Sequence, residues 1–351
     1  MEINDIYADF LVNATSEDPP EDHRHDVLGE GTFRFVKIMT IICYSITFVM
    51  GIIGNGLVIW IAGFKMKRMV TTIWFLNLGV TDFVFDMFFP LQITEWAMDG
   101  HWPFGQIMCK VIFTVLYLNI FVSISFLLII SIDRCTSVMC PVWSKNHRTP
   151  RLARNVSIVT WILCFSLSCP YLSFYDVHPD PFQSVNRCLP VFADEHTNGL
   201  NYKAMVITQF VAMFVIPFTI IVLCYSLIVV RLRQSRSLSG SNRPFRVITA
   251  IVLGFFCSWF PFHFWPLVEL MDVKVDIAYD FIVFHVFCCL AFFNSCLNPI
   301  LYVFIGRDFK KSLIRSIPFI LENTFKEKWD IEDKDQHDRS VTGTELVSFH
   351  P

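Results

Sequence analysis

Between Cys109 and the Asp133-Arg134 pair lie about two dozen mostly apolar residues, interrupted by Lys110, Tyr117, Asn119 and a few serines; at about 1.5 Å per residue they cross a hydrocarbon core of about 30 Å. The run reads as a membrane-spanning helix. A cysteine stands at one rim and an acid-arginine pair at the other, so the two ends face different chemistry. Of the 351 residues, 54% are hydrophobic and only 17% charged, with 37 phenylalanines. A soluble chain of this size keeps roughly a quarter of its residues charged, so the class is integral membrane protein.

Six further apolar runs accompany the one at 105–134: about 36–62, 72–95, 155–175, 204–230, 246–270 and 279–304. The expected fold is an all-α membrane protein, a seven-transmembrane helix bundle over 36–304. An odd number of spans puts the termini on opposite sides. Lys65, Lys67 and Arg68 follow the first span, Lys145, Arg148, Arg151 and Arg154 the third, Arg231, Arg233, Arg236, Arg243 and Arg246 the fifth, and Arg307, Lys310, Lys311 and Arg315 the last. The alternate loops are poor in bases, so the positive-inside rule places the amino terminus outside and the carboxyl terminus in the cytoplasm.

The segment 1–35 carries nine acids and Pro19-Pro20 without periodicity, as expected of a disordered extracellular tail. Its opening, MEINDIYADF, does not read as a cleavable signal peptide. Asn13 heads a glycosylation sequon on the outer side. At the other end, 305–320 spaces Phe309, Leu313 and Ile314 among bases, which predicts a short amphipathic eighth helix lying on anionic lipid. The tail 321–351 is polar and acidic, with Ser340, Thr342, Thr344 and Ser348 open to phosphorylation.

The twelve cysteines are mostly singletons in apolar runs, without zinc spacing. Cys109 and Cys188 both fall on the oxidising side, either bridged over the bundle mouth or as two unrelated thiols. Asp82 is a carboxylate near mid-membrane, where insertion costs about 2.5–3.5 kcal/mol. Asn119, Ser123, Asn294, Ser295 and Asn298 supply oxygens at similar depth, as a cation site or as a polar knot that only pins the helices. Asp86 lies on the same helix face one turn outward, and Glu95 and Glu269 stand near the outer mouth, which predicts an acidic entrance. Pro261, after Trp259, and Pro299, after Asn298, are hinges or static bends.

This polarity, with Asn55, Asp82, Cys109, Asp133-Arg134-Cys135, Trp161, Pro217, Tyr225, Trp259 with Pro261, and Asn298-Pro299 with Tyr302 in order, resembles the rhodopsin-like G-protein-coupled receptors over about 36–319. HWPFG at 101–105, PVWSKNHRT at 141–149 and LAFFNSCLNPILYVFIGRDFKK at 290–311 are similar to the chemoattractant branch, the formyl peptide and chemerin-like receptors. The resemblance favours the Cys109–Cys188 bridge. It implies a plasma-membrane receptor for a peptide or protein ligand, signalling through inhibitory-class G proteins, receptor kinases and arrestin. It makes Asp133 and Arg134 the inner latch, Tyr225 and Tyr302 its partners in the active form, and Trp259 the pocket-floor switch. An allosteric sodium ion, the one cofactor in view, falls to Asp82, Asn119, Ser123, Asn294, Ser295 and Asn298.

Departures from the branch bear on the ligand. Where formyl peptide receptors carry bases on spans two and five and an acid on span three, this chain has Glu95, Met205, Gln209 and Tyr117. A pocket with these residues, Trp259 and His263, in which a ligand is seated among Asp86, Glu95 and Glu269, suits a basic peptide or protein segment. A non-signalling scavenger of the same fold and a chemosensory receptor for small molecules are the competing readings. No nucleophile-base pair suggests an enzyme, no inverted repeat a transporter, and nothing suggests nucleic-acid binding.

Overall fold

The computed structural model describes residues 30–179, 185–190, 203–204, 206–234, 243–271 and 276–305. Helix α1, Glu30–Trp60, runs on into a π turn at Ile61–Lys65. The second span is divided into α2, Val70–Asp86, and α3, Phe89–Ala97. Helix α4, Gly105–Met139, is the third span; α5, Pro141–His147, follows it directly. The fourth span comprises α6, Pro150–Ser168, and the short α7, Tyr171–Phe174. Strands β1, Tyr175–Pro179, and β2, Asn186–Pro190, precede the fifth span, in which a π segment at Phe210–Val215 leads into α8, Ile216–Gln234. Helices α9, Arg243–Leu270, and α10, Ile277–Ile305, complete the bundle.

Among the described residues, six spans are long and apolar enough to cross a membrane. The sixth holds a shorter apolar stretch, Val252–Val268, within a helix of 28 residues. That helix is about 42 Å long, which also exceeds the hydrocarbon thickness.

Proline sets most of the breaks. Pro90 has no N–H to offer the Asp86 carbonyl, and its ring crowds that carbonyl four residues back. The helix therefore stops at Asp86 and restarts with Pro90 in its first turn. Pro141 and Pro150 likewise open α5 and α6, and Thr149 caps α6 by accepting from the Leu152 N–H at 3.2 Å. The π segment ends just before Pro217, whose missing donor frees a carbonyl in the preceding turn. Pro261 and Pro299, read from the sequence as hinges or bends, lie inside helices that continue through them.

Helix α4 is the axis of the bundle. Its most apolar window is 61% buried, against 28% in the first, fourth and fifth spans, and it touches α2, α6, α8, α9 and β1. Helix α10 packs between α9 and α1 and reaches α2. On α6, Ile158, Ile162 and Phe165 are more than half exposed, the apolar outer face that lipid covers. Asn77 of α2 ties that helix inward, accepting from Trp161 Nε1 at 2.8 Å and donating to Ser157 Oγ at 3.2 Å.

The sequence did not foretell the β-hairpin. Its strands are antiparallel with Val177 opposite Cys188, and Cys188 is bonded to Cys109 near the start of α4. The HWPFG segment supplies a second fastening: Trp102 N–H donates to the Asn186 carbonyl at 2.7 Å, and His101 Nδ1 accepts from Asn186 N–H at 3.1 Å. Strand β2 is thus held over the end of the bundle from two sides.

The tails 1–29 and 306–351 lie outside the described residues. With them go the expected sites at Asn13, Ser340, Thr342, Thr344 and Ser348 and the amphipathic helix beyond Ile305.

Candidate functional site

Three levels of polar and aromatic residues connect the disulfide end of the bundle with the Arg134 end. At the disulfide end, a cleft opens under the hairpin, with Glu95, Trp96, Phe113, Leu116, Arg187 and Phe292 among its lining residues. Glu95, expected at the mouth, is one of its walls. Arg187 on β2 is 6% exposed and is the charge that Glu95 feels. Gly100, at a φ of 84°, lets the guanidinium pass: a Cβ there would fall on Arg187 Nη1.

The entrance expected to be acidic also carries bases at the described rim. Asp99 pairs with Lys37 at 2.5 Å, and Asp176 with Lys110 at 3.6 Å. Asp176 also accepts from its neighbour Val177 N–H and from Gln106 Nε2, each at 2.7 Å. The Val177 N–H chiefly, then Gln106 and Lys110, hold the Asp176 carboxyl below the usual aspartate range. Sequence spacing gave no sign of Arg187, because the hairpin that turns it inward is fixed by a distant disulfide.

The other expected ligand residues divide. Asp86, expected one turn outward of Asp82, is fully buried and is not among the residues that line the cleft. Its place on the Asp82 face of α2 points it towards α1 and α10. Tyr117 stacks on Tyr171 at 3.5 Å between centroids, and Gln209 donates to Tyr171 Oη at 2.8 Å, joining spans three, four and five. Trp259 and His263 are buried and stacked 5.8 Å apart. Met205 and the Glu269 side chain lie outside the described residues. Phe292, which the sequence reading did not single out, centres the cleft floor: its ring lies 5.5 Å from Phe85, 5.6 Å from Tyr44 and 6.4 Å from both Trp259 and Phe262.

Below that floor lies the polar knot. Asp82 accepts from Asn119 Nδ2 at 3.0 Å and Asn298 Nδ2 at 2.8 Å, joining α2, α4 and α10. Asp86 accepts from Asn55 Nδ2 at 3.0 Å, and the same amide donates to the Ser295 carbonyl at 3.1 Å. Ser123, Asn294 and Ser295 are buried with them, and Ser123 Oγ has no hydrogen-bond partner among the described residues. Oxygen donors around a buried carboxylate fit a hard cation.

At the Arg134 end, the arrangement departs from a simple Asp133–Arg134 latch. Arg148 grips Asp133 with two parallel bonds, Nε to Oδ1 at 2.7 Å and Nη2 to Oδ2 at 2.9 Å. Arg134 reaches Asp133 only at 4.0 Å and donates instead to Thr71 Oγ1 at 2.5 Å. Tyr225 of α8 faces both Arg134 and Thr249 of α9. The Tyr302 side chain lies outside the described residues.

A family model for the 7 transmembrane receptor (rhodopsin family) matches residues 54–302. This chain belongs to that family. Among its relatives, chemerin-like receptor 1 of Homo sapiens is 42% identical over 290 residues, covering 79% of this chain and 78% of the relative. The Rattus norvegicus protein of the same name is 41% identical over 297 residues, with the same two coverages. Formyl peptide receptor 2 of Mus musculus is 40% identical over 307 residues, covering 84% of this chain and 87% of the relative. The rhodopsin-family receptor described here is a multi-pass G-protein-coupled receptor of the chemerin-like and formyl peptide type, and not an enzyme.

Proposed function

We propose that this receptor takes a peptide or protein chemoattractant at its disulfide end and activates an inhibitory-class G protein at its Arg134 end. The observation that carries the reading is the cleft between Glu95 and Arg187, roofed by a hairpin and separated from Arg134 by aromatic and polar layers. The disulfide suits an oxidising exterior, and the bases near the opposite ends of the spans suit the cytoplasm. The amino terminus is then extracellular, with a glycan at Asn13.

The ligand's basic group meets Glu95. Arg187 already faces that carboxylate, so the ligand either displaces it or brings an acidic group of its own. Receptor kinases then modify Ser340, Thr342, Thr344 and Ser348, and arrestin follows. For the knot at Asp82, Asn119, Ser123, Asn294, Ser295 and Asn298, family likeness suggests an allosteric sodium ion. The donors fit one, and when bound it would stabilise the Asp82 charge.

A scavenger reading draws on Cys135 in the Asp-Arg-Cys triplet and on the Arg148 grip on Asp133. Fractionated tissue peptides applied to cells expressing the receptor, with G-protein dissociation and arrestin recruitment read side by side, separate the two. Dissociation of an inhibitory-class G protein supports the proposal. Ligand uptake without any transducer supports the scavenger.

A further inference from the structure

The cleft carries charge of both signs. Among the described residues that line it, Glu95 and Arg187 are the charged ones; most of the rest are apolar, with the rings of Trp96, Phe113, Phe284 and Phe292 among them. Glu95 and Arg187 act on each other electrostatically, so the charges of the cleft already balance.

The backbone on both sides of Arg187 is fixed. Asn186 is held by Trp102 N–H at its carbonyl and by His101 Nδ1 at its N–H, and Cys188 is bonded to Cys109. The guanidinium packs against Gly100, where a side chain would collide with it, and Arg187 is buried. Withdrawing it would leave the Glu95 carboxylate without the charge that balances it, at a cost greater than that of bringing Arg187 a further partner. A ligand therefore meets Arg187 in place. Charge balance then restricts what enters. An end carrying only a base adds an uncompensated positive charge to a desolvated cleft, and one carrying only an acid adds a negative one. An end carrying one of each adds none, and each of its groups finds an opposite charge.

We propose that the cleft receives the carboxyl end of a peptide whose last residue is arginine, with the terminal carboxylate on Arg187 and the guanidinium on Glu95. A terminal arginine presents both groups in one residue, which suits a cleft roofed by the hairpin. The carboxylate can meet Arg187 with two parallel bonds. The aromatic walls favour a planar guanidinium, which stacks on ring faces. An amino-terminal aspartate also carries both charges but offers those walls only an ammonium. This assignment rests on the cleft being the receptor's peptide site and is independent of the transducer.

Purified full-length receptor is titrated with four peptides: acetyl-Leu-Phe-Arg as the free acid, the same peptide as its amide, acetyl-Leu-Phe-Gln as the free acid, and Asp-Phe-Leu amide with a free amino end. The arginine acid is expected to bind at least about tenfold more tightly than each of the others. In Arg187→Gln the acid is expected to lose its advantage over the amide, and in Glu95→Gln arginine its advantage over glutamine. Equal affinity for acid and amide, equal affinity for the glutamine acid, preference for the aspartate peptide, or no binding of the arginine acid at about 1 mM would overturn the proposal. The series on unmodified receptor decides the matter even where a variant does not fold. Binding in the expected order without any G-protein response leaves the assignment standing and contradicts the signalling reading. Signalling by a peptide that binds equally as acid and amide does the reverse.

Discussion

Arg148 holds Asp133 in a geometry that only a guanidinium provides, and Asp133 is 11% exposed in its side chain. Arg148→Ala is expected to lower stability by about 1.5–3 kcal/mol, the range for hydrogen bonds to a charged group, with Lys restoring only part. Thermal melting of the purified receptor checks it. Asp176 gives a pH test outside the membrane. Its carboxyl titrates lower folded than unfolded, so its contribution is present above the unfolded value and is lost as pH falls through the folded one. Melting temperature is expected to drop below about pH 4 and to drop less in Asp176→Asn. Sequence made Asp82, Asn119 and Asn298 legible as one cluster, because a buried carboxylate demands donors. It did not reveal Arg187 or Arg148, whose roles depend on where loops return, nor which neighbours Asp86 would meet.

The length of the apolar runs located the spans, and the ends of α9 and α10 fall within a few residues of the expected limits. Pro90 was overlooked although its effect is the larger: it splits the second span, while Pro261 and Pro299 leave theirs continuous. Pro90→Ala is expected to rejoin α2 and α3 and turn Glu95 out of the cleft, reducing agonist potency at least about tenfold, or about 1.4 kcal/mol of binding. Dose-response curves on cells with matched surface expression measure this. The hairpin was illegible because five-residue strands carry little pattern and Cys188, opposite Val177, is held by a bond to the distant Cys109. Cys188→Ser is expected to cost about 2–5 kcal/mol and to release the cleft roof, seen as lower surface expression and melting temperature.

Across the whole molecule, the cleft and Arg134 lie on the same axial helix, α4, with the Phe292 layer and the knot between them. Rearrangement at the cleft floor can therefore reach the Asp133–Arg148 and Arg134–Thr71 contacts through packed side chains. The seven-span frame was readable from hydropathy because a bilayer leaves few choices for backbone polar groups; the exchange of partners at the Arg134 end was not, because three close basic and acidic groups admit several pairings. The most direct measurement is agonist-evoked G-protein dissociation in unmodified receptor and in Arg134→Ala at equal surface expression and equal ligand uptake. A response in the first and its loss in the second is expected. An equal response in both would contradict transmission through Arg134.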